Sequence, residues 1–367
     1  MSRLATAHTD LLRRRLAGQH LTSPGPKTAA DVVRALGAVQ AQDYAGAKWA
    51  VAQRTSGATD ADVERELTAG GILRTHVLRP TWHFVAPEDI RWMLALTAPR
   101  VSAAMAYHAR VNELTPAAFR RSNAALTRAL AGGNHLTRPE LAKVLERARL
   151  GTTSEQRVGL MMRAELDAVV CSGPRRGKQF TYALFDERVP PSEPLERDAA
   201  LLELTRRYFS TRGPATARDF AWWSGLTLAD SRRGIDIAAT ELTHVTIDED
   251  RFYFIDRRLP KAKPSAHLLP NYDEFFIGYK DRGAVAHRLG HSTPVTGGSW
   301  LNSHVVFVDG QLVGEWRRSV EKTRIVVELD LAASLTAAET RRIAAEAKRL
   351  GAFHGLPVTH NPTAPER

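Results

Sequence analysis

The chain has a single cysteine and no long apolar run, and these two deficits exclude several classes of protein. Cys171 has no second cysteine to pair with, so an intramolecular disulfide and a cysteine-based zinc site are both excluded. Nowhere do about 18 apolar residues follow one another, and residues 1–16 lack the apolar centre of a signal peptide. We therefore expect a soluble protein of the reducing cytoplasm, with no membrane span.

Several catalytic signatures are also missing. The sequence has no P-loop, no His-Glu-x-x-His and no Gly-x-Ser-x-Gly, so ATP-dependent phosphotransfer, zinc proteolysis and ordinary hydrolase chemistry lose their usual support. His287 and His291 are four residues apart, but Gly290 and Pro294 indicate a loop, which favours solvent-exposed histidines over metal ligands. We predict no metal and no cofactor.

Acidic residues are in deficit. The 40 Asp and Glu residues face 51 Lys and Arg, giving a net charge of +11 and a pI of about 10.1. This balance favours a polyanionic partner, either nucleic acid or an anionic membrane surface. Since 42 of the basic residues are arginine, the codon bias of a GC-rich genome is an alternative source. Residues 100–149, however, hold nine basic and three acidic residues, which codon bias alone does not explain.

The chain does contain a repeated order of elements. Its 367 residues, 43% of them hydrophobic, suffice for roughly two to four compact units. Short helices followed by two strand-like runs occur three times, which is the order typical of a winged helix. The predicted fold class is α+β and mainly helical, with winged-helix units at 1–98, 99–189 and 195–260. The Pro-rich stretch 189–194 marks the boundary before the third unit.

The predicted elements within these units are as follows. The first unit has helices near 6–17, 28–38, 45–55 and 60–69, then strands at 73–78 and 81–85. In the second, Thr137, Pro139 and Glu140 form a capping pattern at a helix start, and strands 169–172 and 179–185 flank a basic turn.

The pattern changes to strands near residue 265. Asp309-Gly310 is a strong hairpin-turn signal, and a helix is predicted at 336–350. We expect a small α+β appendage at 265–356 that packs on the third unit. The tail from Pro357 is expected to be loose.

The first candidate site is Gln40-Ala41-Gln42, which follows an apolar helix. In an extended backbone, residues i and i+2 project to the same side, so both amides could face one cavity while Ala41 packs inward. The alternative is that both glutamines cap helix ends.

Two further segments carry chemically active side chains. On the predicted strand 81–85, Trp82 is interpreted as core in preference to a base-stacking platform, and His83 as a hydrogen-bond partner that lines a pocket. The segment 268–282 mixes aromatic, acidic and basic residues, which indicates a polar network, structural or catalytic. Tyr272 and Asp273 line the same pocket if the appendage folds over the first unit.

Together, Gln-Ala-Gln at 40–42, Arg-Pro-Thr-Trp-His at 79–83 and Leu-Leu-Pro-Asn-Tyr-Asp-Glu-Phe at 268–275 resemble the winged-helix DNA glycosylases of the AlkZ-like and YcaQ-related superfamily. The resemblance covers nearly the whole chain. It implies a C-shaped arrangement of three winged-helix units around a positively charged DNA channel. It also implies that Gln40 and Gln42 are the catalytic residues, in the AlkZ-like branch, because the YcaQ-like branch has Asp where Gln42 stands.

The chemistry agrees with this resemblance. Alkylation of guanine at N7 gives the base a positive charge and makes it a good leaving group, so a strong general acid is unnecessary. The remaining tasks are to hold a water near C1′ and to stabilise an oxocarbenium-like sugar, which preorganised amides can do. No lysine nucleophile is evident, so we expect a monofunctional glycosylase without lyase activity. The expected lesions are bulky genotoxin adducts or interstrand cross-links, as in DNA repair or antibiotic self-resistance.

The expected partner is duplex DNA that carries alkylated guanine, bound by a monomer, and no membrane is expected as a partner. Candidate DNA-binding residues are Arg175, Arg176 and Lys178 at the basic turn, together with Arg138. The alternative for the turn is a solvated loop. The rival functions are a winged-helix transcription regulator without catalysis and a non-catalytic protein that binds lesions. Three dissimilar units in one chain favour an asymmetric clamp over a reader of palindromes.

Overall fold

The computed structural model describes residues 3–22, 25–259, 263–289 and 299–363, and within them it shows a mixed α+β fold. Fifteen α-helices and thirteen β-strands occur in this described part, and the strands form four separate sheets. None of the described helices is long and apolar enough to cross a membrane. Each sheet is built from strands close in sequence, so the fold divides into four consecutive regions.

The first region follows the N-terminal helix α1 (Arg3–Gly18). Its elements are α2 (Ala29–Leu36), β1 (Ala38–Gln40), α3 (Tyr44–Ala52), α4 (Asp60–Ala69), β2 (Leu73–His76) and β3 (Trp82–Val85). The antiparallel sheet has the order β1-β3-β2. Thr59 begins α4 with a capping box that Asp62 completes. The strand β1 was not predicted from the sequence, and it places Gln40 in the sheet.

The second region repeats this arrangement. Its elements, after the connecting helices, are given in chain order: α5 (Ile90–Ala104), α6 (Ala106–Val111), α7 (Pro116–Leu130), β4 (Leu136–Thr137), α8 (Arg138–Arg147), α9 (Ser154–Leu166), β5 (Val170–Ser172) and β6 (Thr181–Leu184). The sheet order β4-β6-β5 matches that of the first region. The predicted cap is confirmed, because Thr137 and Glu140 form a capping box at the start of α8.

The third region has the same order of elements with one simplification. It follows α10 (Phe185–Arg188) and contains α11 (Arg197–Thr211), α12 (Ala217–Ser224), α13 (Leu228–Ile237), β7 (Thr243–Ile247) and β8 (Asp250–Phe254). A single bridge between Ala215 and Tyr253 takes the place of the short strand. Helix, short strand or bridge, two helices and a hairpin therefore occur three times along the chain.

The C-terminal region is a five-stranded sheet with two helices. Its elements are β9 (Ala266–Leu269), α14 (Glu274–Ile277), β10 (His304–Val308), β11 (Gln311–Val320), β12 (Ile325–Leu331), α15 (Ala337–His354) and β13 (Val358–Thr363). The strand order is β13-β12-β11-β10-β9. The expectation of a loose tail from Pro357 is wrong, because β13 pairs in parallel with β12, and α15 provides the crossover.

The two faces of this sheet pack against different parts of the chain. Val306 and Trp316 lie on one face and share a core with Val33 and Trp49 of the first region, where the Trp49 Nε1 donates to the Leu268 carbonyl at 2.7 Å. On the other face, β10 and β11 pack against the leucines of α1. The predicted packing on the third region is present for the segment from α14 to residue 282, which contacts α11 and α12, and Ile247 of β7 shares a core with Leu269 and Phe275.

Candidate active site

Gln40 lies at the end of β1 and is 9% exposed. Both its backbone and its side chain form hydrogen bonds. Its backbone N–H donates to Glu274 Oε1 at 2.9 Å. Its side-chain Oε1 accepts from Arg79 Nη2 at 2.9 Å. Because a guanidinium can only donate, the carbonyl end of the Gln40 amide must face Arg79. The orientation of this amide is therefore fixed.

Glu274 at the start of α14 is the residue that joins three regions of the fold here. Its Oε2 accepts from the Arg212 guanidinium at 2.6 Å and from Trp223 Nε1 at 2.8 Å, and both Glu274 and Arg212 are fully buried. Burial opposes ionisation, but the charges of Arg212 and Arg79 outweigh it and hold the pKa of Glu274 below its ordinary value. Glu274 is therefore a buried, fully engaged carboxylate that anchors the Gln40 backbone.

Gln42 differs from Gln40 in its surroundings. It is exposed, and its side chain makes no hydrogen bond within the described part of the chain. The intervening Ala41 is buried, and its N–H donates to the Trp82 carbonyl at 2.7 Å. Asp43 follows as the N-cap of α3, where it accepts from the Gly46 N–H. One glutamine is thus locked in the fold and the other is free to meet a ligand.

His83 lies directly opposite Gln40 in the β1-β3 ladder and is completely buried. Its Nδ1 is 2.9 Å from the Thr81 carbonyl, and because a carbonyl only accepts, the proton sits on Nδ1. Burial, reinforced by the charge of Arg79, lowers the pKa of His83 to about 3. His83 is therefore neutral at physiological pH and next to the glutamine motif.

Trp82 is only half-buried and lies among cationic and polar groups, which the interpretation as a core residue did not anticipate. Its ring centroid is 4.5 Å from that of His76. The guanidinium carbons of Arg74 and Arg138 lie 4.4 Å and 5.0 Å from the Trp82 ring centroid. The indole thus orders a cluster beside the glutamine motif.

Tyr272 and Asp273 lie next to Glu274 in sequence but have other partners. Both carboxylate oxygens of Asp273 accept from Arg54 at 2.8 Å, and the residue is 1% exposed. Tyr272 is half-buried, and its hydroxyl donates to Asn302 at 2.9 Å. In this segment it is Glu274 that contacts Gln40. Glu274 was predicted from the sequence only as part of a polar network, without a role of its own.

A model of the AlkZ-like DNA glycosylase family matches residues 33–353, a span that begins in α2 and ends in α15. The chain belongs to the AlkZ-like DNA glycosylase family. One relative, an interstrand DNA cross-link repair glycosylase of Streptomyces sahachiroi, is 26% identical over an alignment of 362 residues, and the match covers 94% of this chain and 96% of that protein. The solved structure of the Streptomyces sahachiroi DNA glycosylase AlkZ has a similar fold, with a TM-score of 0.78, 24% identity, and coverage of 96% of this chain and 99% of that one.

In this AlkZ-like glycosylase, two of the three predicted cations at the basic turn are engaged within the protein. Arg175 lies over the Tyr44 ring at 5.2 Å, with its Nη1 3.4 Å from Glu64 Oε2. Arg176 forms an ion pair with Glu140 at 2.8 Å. Lys178 is exposed. The turn therefore offers less free positive charge than its sequence indicates.

The basic residues of 100–149, unlike Arg175 and Arg176, are not engaged in ion pairs within the described part of the chain. All nine are exposed, and none of them forms an ion pair with a described residue. They lie on and between the helices from α5 to the start of α9: Arg100, Arg110, Arg120, Arg121, Arg128, Arg138, Lys143, Arg147 and Arg149. This surface of the AlkZ-like chain therefore carries more unpaired positive charge than the basic turn.

Metal-binding residues do not cluster in the described part of the chain. No group of three or more His, Cys, Asp or Glu side chains there could hold a metal ion. His287 lies in a short 3-10 helix (His287–Leu289), and its sequence neighbour His291 lies outside the described residues. The site of this AlkZ-like chain is accordingly described by its amides, Arg79, His83 and Glu274.

Proposed function

We propose that this AlkZ-like chain is a monofunctional DNA glycosylase that hydrolyses the N-glycosidic bond of N7-alkylguanine in duplex DNA. One observation carries the proposal: the titratable groups beside Gln40 cannot supply a proton near neutral pH. His83 is neutral and Glu274 is ionised and engaged; burial lowers the pKa of Arg79 from its very high ordinary value, but the charge of Glu274 opposes this shift and favours the guanidinium cation. Such a site suits a base that already carries a positive charge and departs without protonation.

The two glutamines then have different roles in the reaction. The Gln40 carbonyl oxygen has a second lone pair that remains after the bond to Arg79, and this lone pair can accept from the attacking water. The charge of Arg79 opposes a positive charge on the sugar close to Gln40. Stabilisation of the oxocarbenium-like sugar therefore falls to the free carbonyl of Gln42.

The strand register supports a common site for both amides. The hydrogen bond from the Ala41 N–H to the Trp82 carbonyl extends the contact between β1 and β3 to Ala41, and the chain bends at Gln42, so both amides lie at the end of this ladder. Residues directly opposite each other in an antiparallel ladder share a face, which brings His83 beside Gln40. The pocket candidates Tyr272 and Asp273 support this site through the segment that carries Glu274.

We extend the proposal to the substrate and the architecture. The natural lesions are bulky genotoxin adducts or interstrand cross-links, in keeping with the name of the Streptomyces sahachiroi relative. The three regions with the repeated order of elements act as winged-helix units in a C-shaped clamp, and a monomer in the cytoplasm binds the duplex. Lys48, close in sequence to the glutamines, is held by Asp60 and Glu64, which supports hydrolysis without a lyase step.

The deciding experiment uses a duplex with one N7-methylguanine, incubated with the protein and then heated in alkali. Strand breaks that require both the protein and the alkali show an abasic site made by a monofunctional glycosylase. Breaks without alkali would reveal a lyase step. Sequence-dependent binding to undamaged DNA without breaks would support a transcription regulator instead, and lesion-selective binding without breaks a sequestering protein.

The excision rate is expected to depend little on pH. His83 stays neutral above about pH 3, and the lowered pKa of Glu274 keeps its carboxylate ionised near neutrality, so neither group changes state there. The single-turnover rate constant at saturating protein should therefore vary less than about threefold between about pH 5.5 and pH 8. A bell-shaped profile with a limb near neutrality would assign the chemistry to a titrating acid or base instead.

Salt dependence identifies the DNA-binding surface. We expect the combined changes Arg120→Gln, Arg128→Gln and Arg147→Gln to weaken duplex binding and to make the plot of log K against log salt shallower by up to about 3, since each phosphate contact contributes about 0.9 to the slope. The matched control removes three ion-paired arginines: Arg197→Gln, Arg206→Gln and Arg233→Gln. Equal slopes for both triple variants would place the DNA elsewhere.

A further inference from the structure

Arg74 of β2 forms hydrogen bonds with the backbone of Ala41, the residue between the two glutamines. Its Nε and its Nη2 both donate to the carbonyl oxygen of Ala41, each at 3.1 Å. This carbonyl belongs to the peptide bond between Ala41 and Gln42. Two donors in a rigid fork on one oxygen restrict the rotation of that peptide, and with it the direction in which the chain enters Gln42.

The guanidinium of Arg74 is itself confined. Its central carbon lies 4.4 Å from the Trp82 ring centroid, 4.9 Å from that of Phe180 and 5.8 Å from that of Tyr44. Burial lowers its pKa to about 10, so the group remains a cation at neutral pH. A cation enclosed by three rings has few alternative positions, and its two N–H groups stay directed at Ala41.

The second region supplies much of this enclosure. The Arg74 backbone N–H donates to the Ser172 hydroxyl at 2.8 Å, and Phe180 comes from the same hairpin. Glu165 of α9 contributes the favourable charge, and it also accepts from the His76 backbone N–H at 2.8 Å. The region that carries the unpaired basic surface therefore holds the arginine that contacts the glutamine motif.

We propose that Arg74 is a positioning residue of the excision reaction, which aims Gln42 by holding the Ala41 carbonyl. Gln42 needs such support because its own side chain makes no hydrogen bond within the described residues. Arg74 does not touch the reacting atoms, and its effect passes through the backbone. This inference rests on the proposed function, since it assigns a role within the same site.

The test is the change Arg74→Gln, which removes the charge and the guanidinium fork. We expect the single-turnover excision rate to fall about 100-fold, as a displacement of about 1 Å in a catalytic group commonly does, with the Kd for the lesion duplex within about threefold of the parent. Arg74→Lys keeps the charge without the fork and should recover only part of the rate.

Arg91 provides a matched control. Its Nε and Nη2 donate to the carbonyls of Pro190 and Val189 at 3.0 and 3.2 Å, and it lies 4.9 Å from the Phe185 ring centroid, remote in sequence from the glutamines. Arg91→Gln should excise at the parent rate. A parent without excision would refute the proposed function itself. With an active parent, the inference fails if Arg74→Gln keeps the parent rate, or if its loss of rate is matched by an equal loss of duplex affinity.

Discussion

Replacing both Gln40 and Gln42 with alanine is expected to reduce single-turnover excision of N7-methylguanine by at least about 1,000-fold. Loss of one preorganised polar group at a reacting centre typically costs about 100- to 1,000-fold, and here both amides are removed. Duplex affinity should change less than about threefold, because the unpaired cations of residues 100–149 are untouched. Rate and affinity are measured on the same lesion duplex.

Single substitutions separate the two amides. Gln40→Ala also leaves Arg79 without its acceptor at this position, so its unfolding midpoint should fall slightly, whereas exposed Gln42→Ala should unfold like the parent. Gln311→Ala, at the start of β11, is a control glutamine bonded to the Ala284 carbonyl. If the double variant excised at the parent rate, the assignment of the chemistry to these amides would be wrong.

The second large effect concerns stability. Glu274→Ala leaves the buried Arg212 without its carboxylate and removes the acceptors of the Trp223 indole and the Gln40 backbone. Breaking a buried ion pair in this way costs about 3–5 kcal/mol of unfolding free energy. The unfolding midpoint, followed by circular dichroism, should fall by roughly 5–15 °C.

An exposed ion pair gives the comparison. Asp198 and Arg233 are well exposed, so Asp198→Ala should leave the midpoint unchanged within measurement error. If Glu274→Ala had the same unfolding midpoint as Asp198→Ala, the buried pair would contribute nothing measurable to the free energy of unfolding. In that event the anchoring role of Glu274 at Gln40 would also be lost.

Local interactions were the most predictable part of this structure. The Thr137 capping box and the hairpin turn at Asp309-Gly310 depend on residues at most three apart, and both are present. The strand β1 escaped prediction because three residues are too few to show an alternating pattern. The strand β13 was missed for a different reason, since its pairing partner β12 lies beyond an 18-residue helix.

Contacts between distant segments could not be read from the sequence. Gln40 and Glu274 both lie in segments that the sequence singled out, yet they are separated by 234 positions and nothing local indicates that they meet. Arg175, a predicted DNA-binding residue, contacts Glu64 and Tyr44 of the first region, and nothing local in the sequence indicates this contact. In each case the deciding partner comes from tertiary packing, which composition and periodicity do not specify.

The distance between Gln40 and Glu274 also determines when the site can form during synthesis. At about 5–20 residues per second, the ribosome adds the intervening 234 residues in roughly 10–50 s, and the first-region core remains without its C-terminal sheet throughout. The strand β1, which contains Gln40, is thus synthesised well before the Glu274 carboxylate that its backbone contacts. A nascent chain that stalls before residue 274 would display β1 with the Gln40 backbone N–H unanchored, so the proposed site can form only after the segment that carries Glu274 has been made.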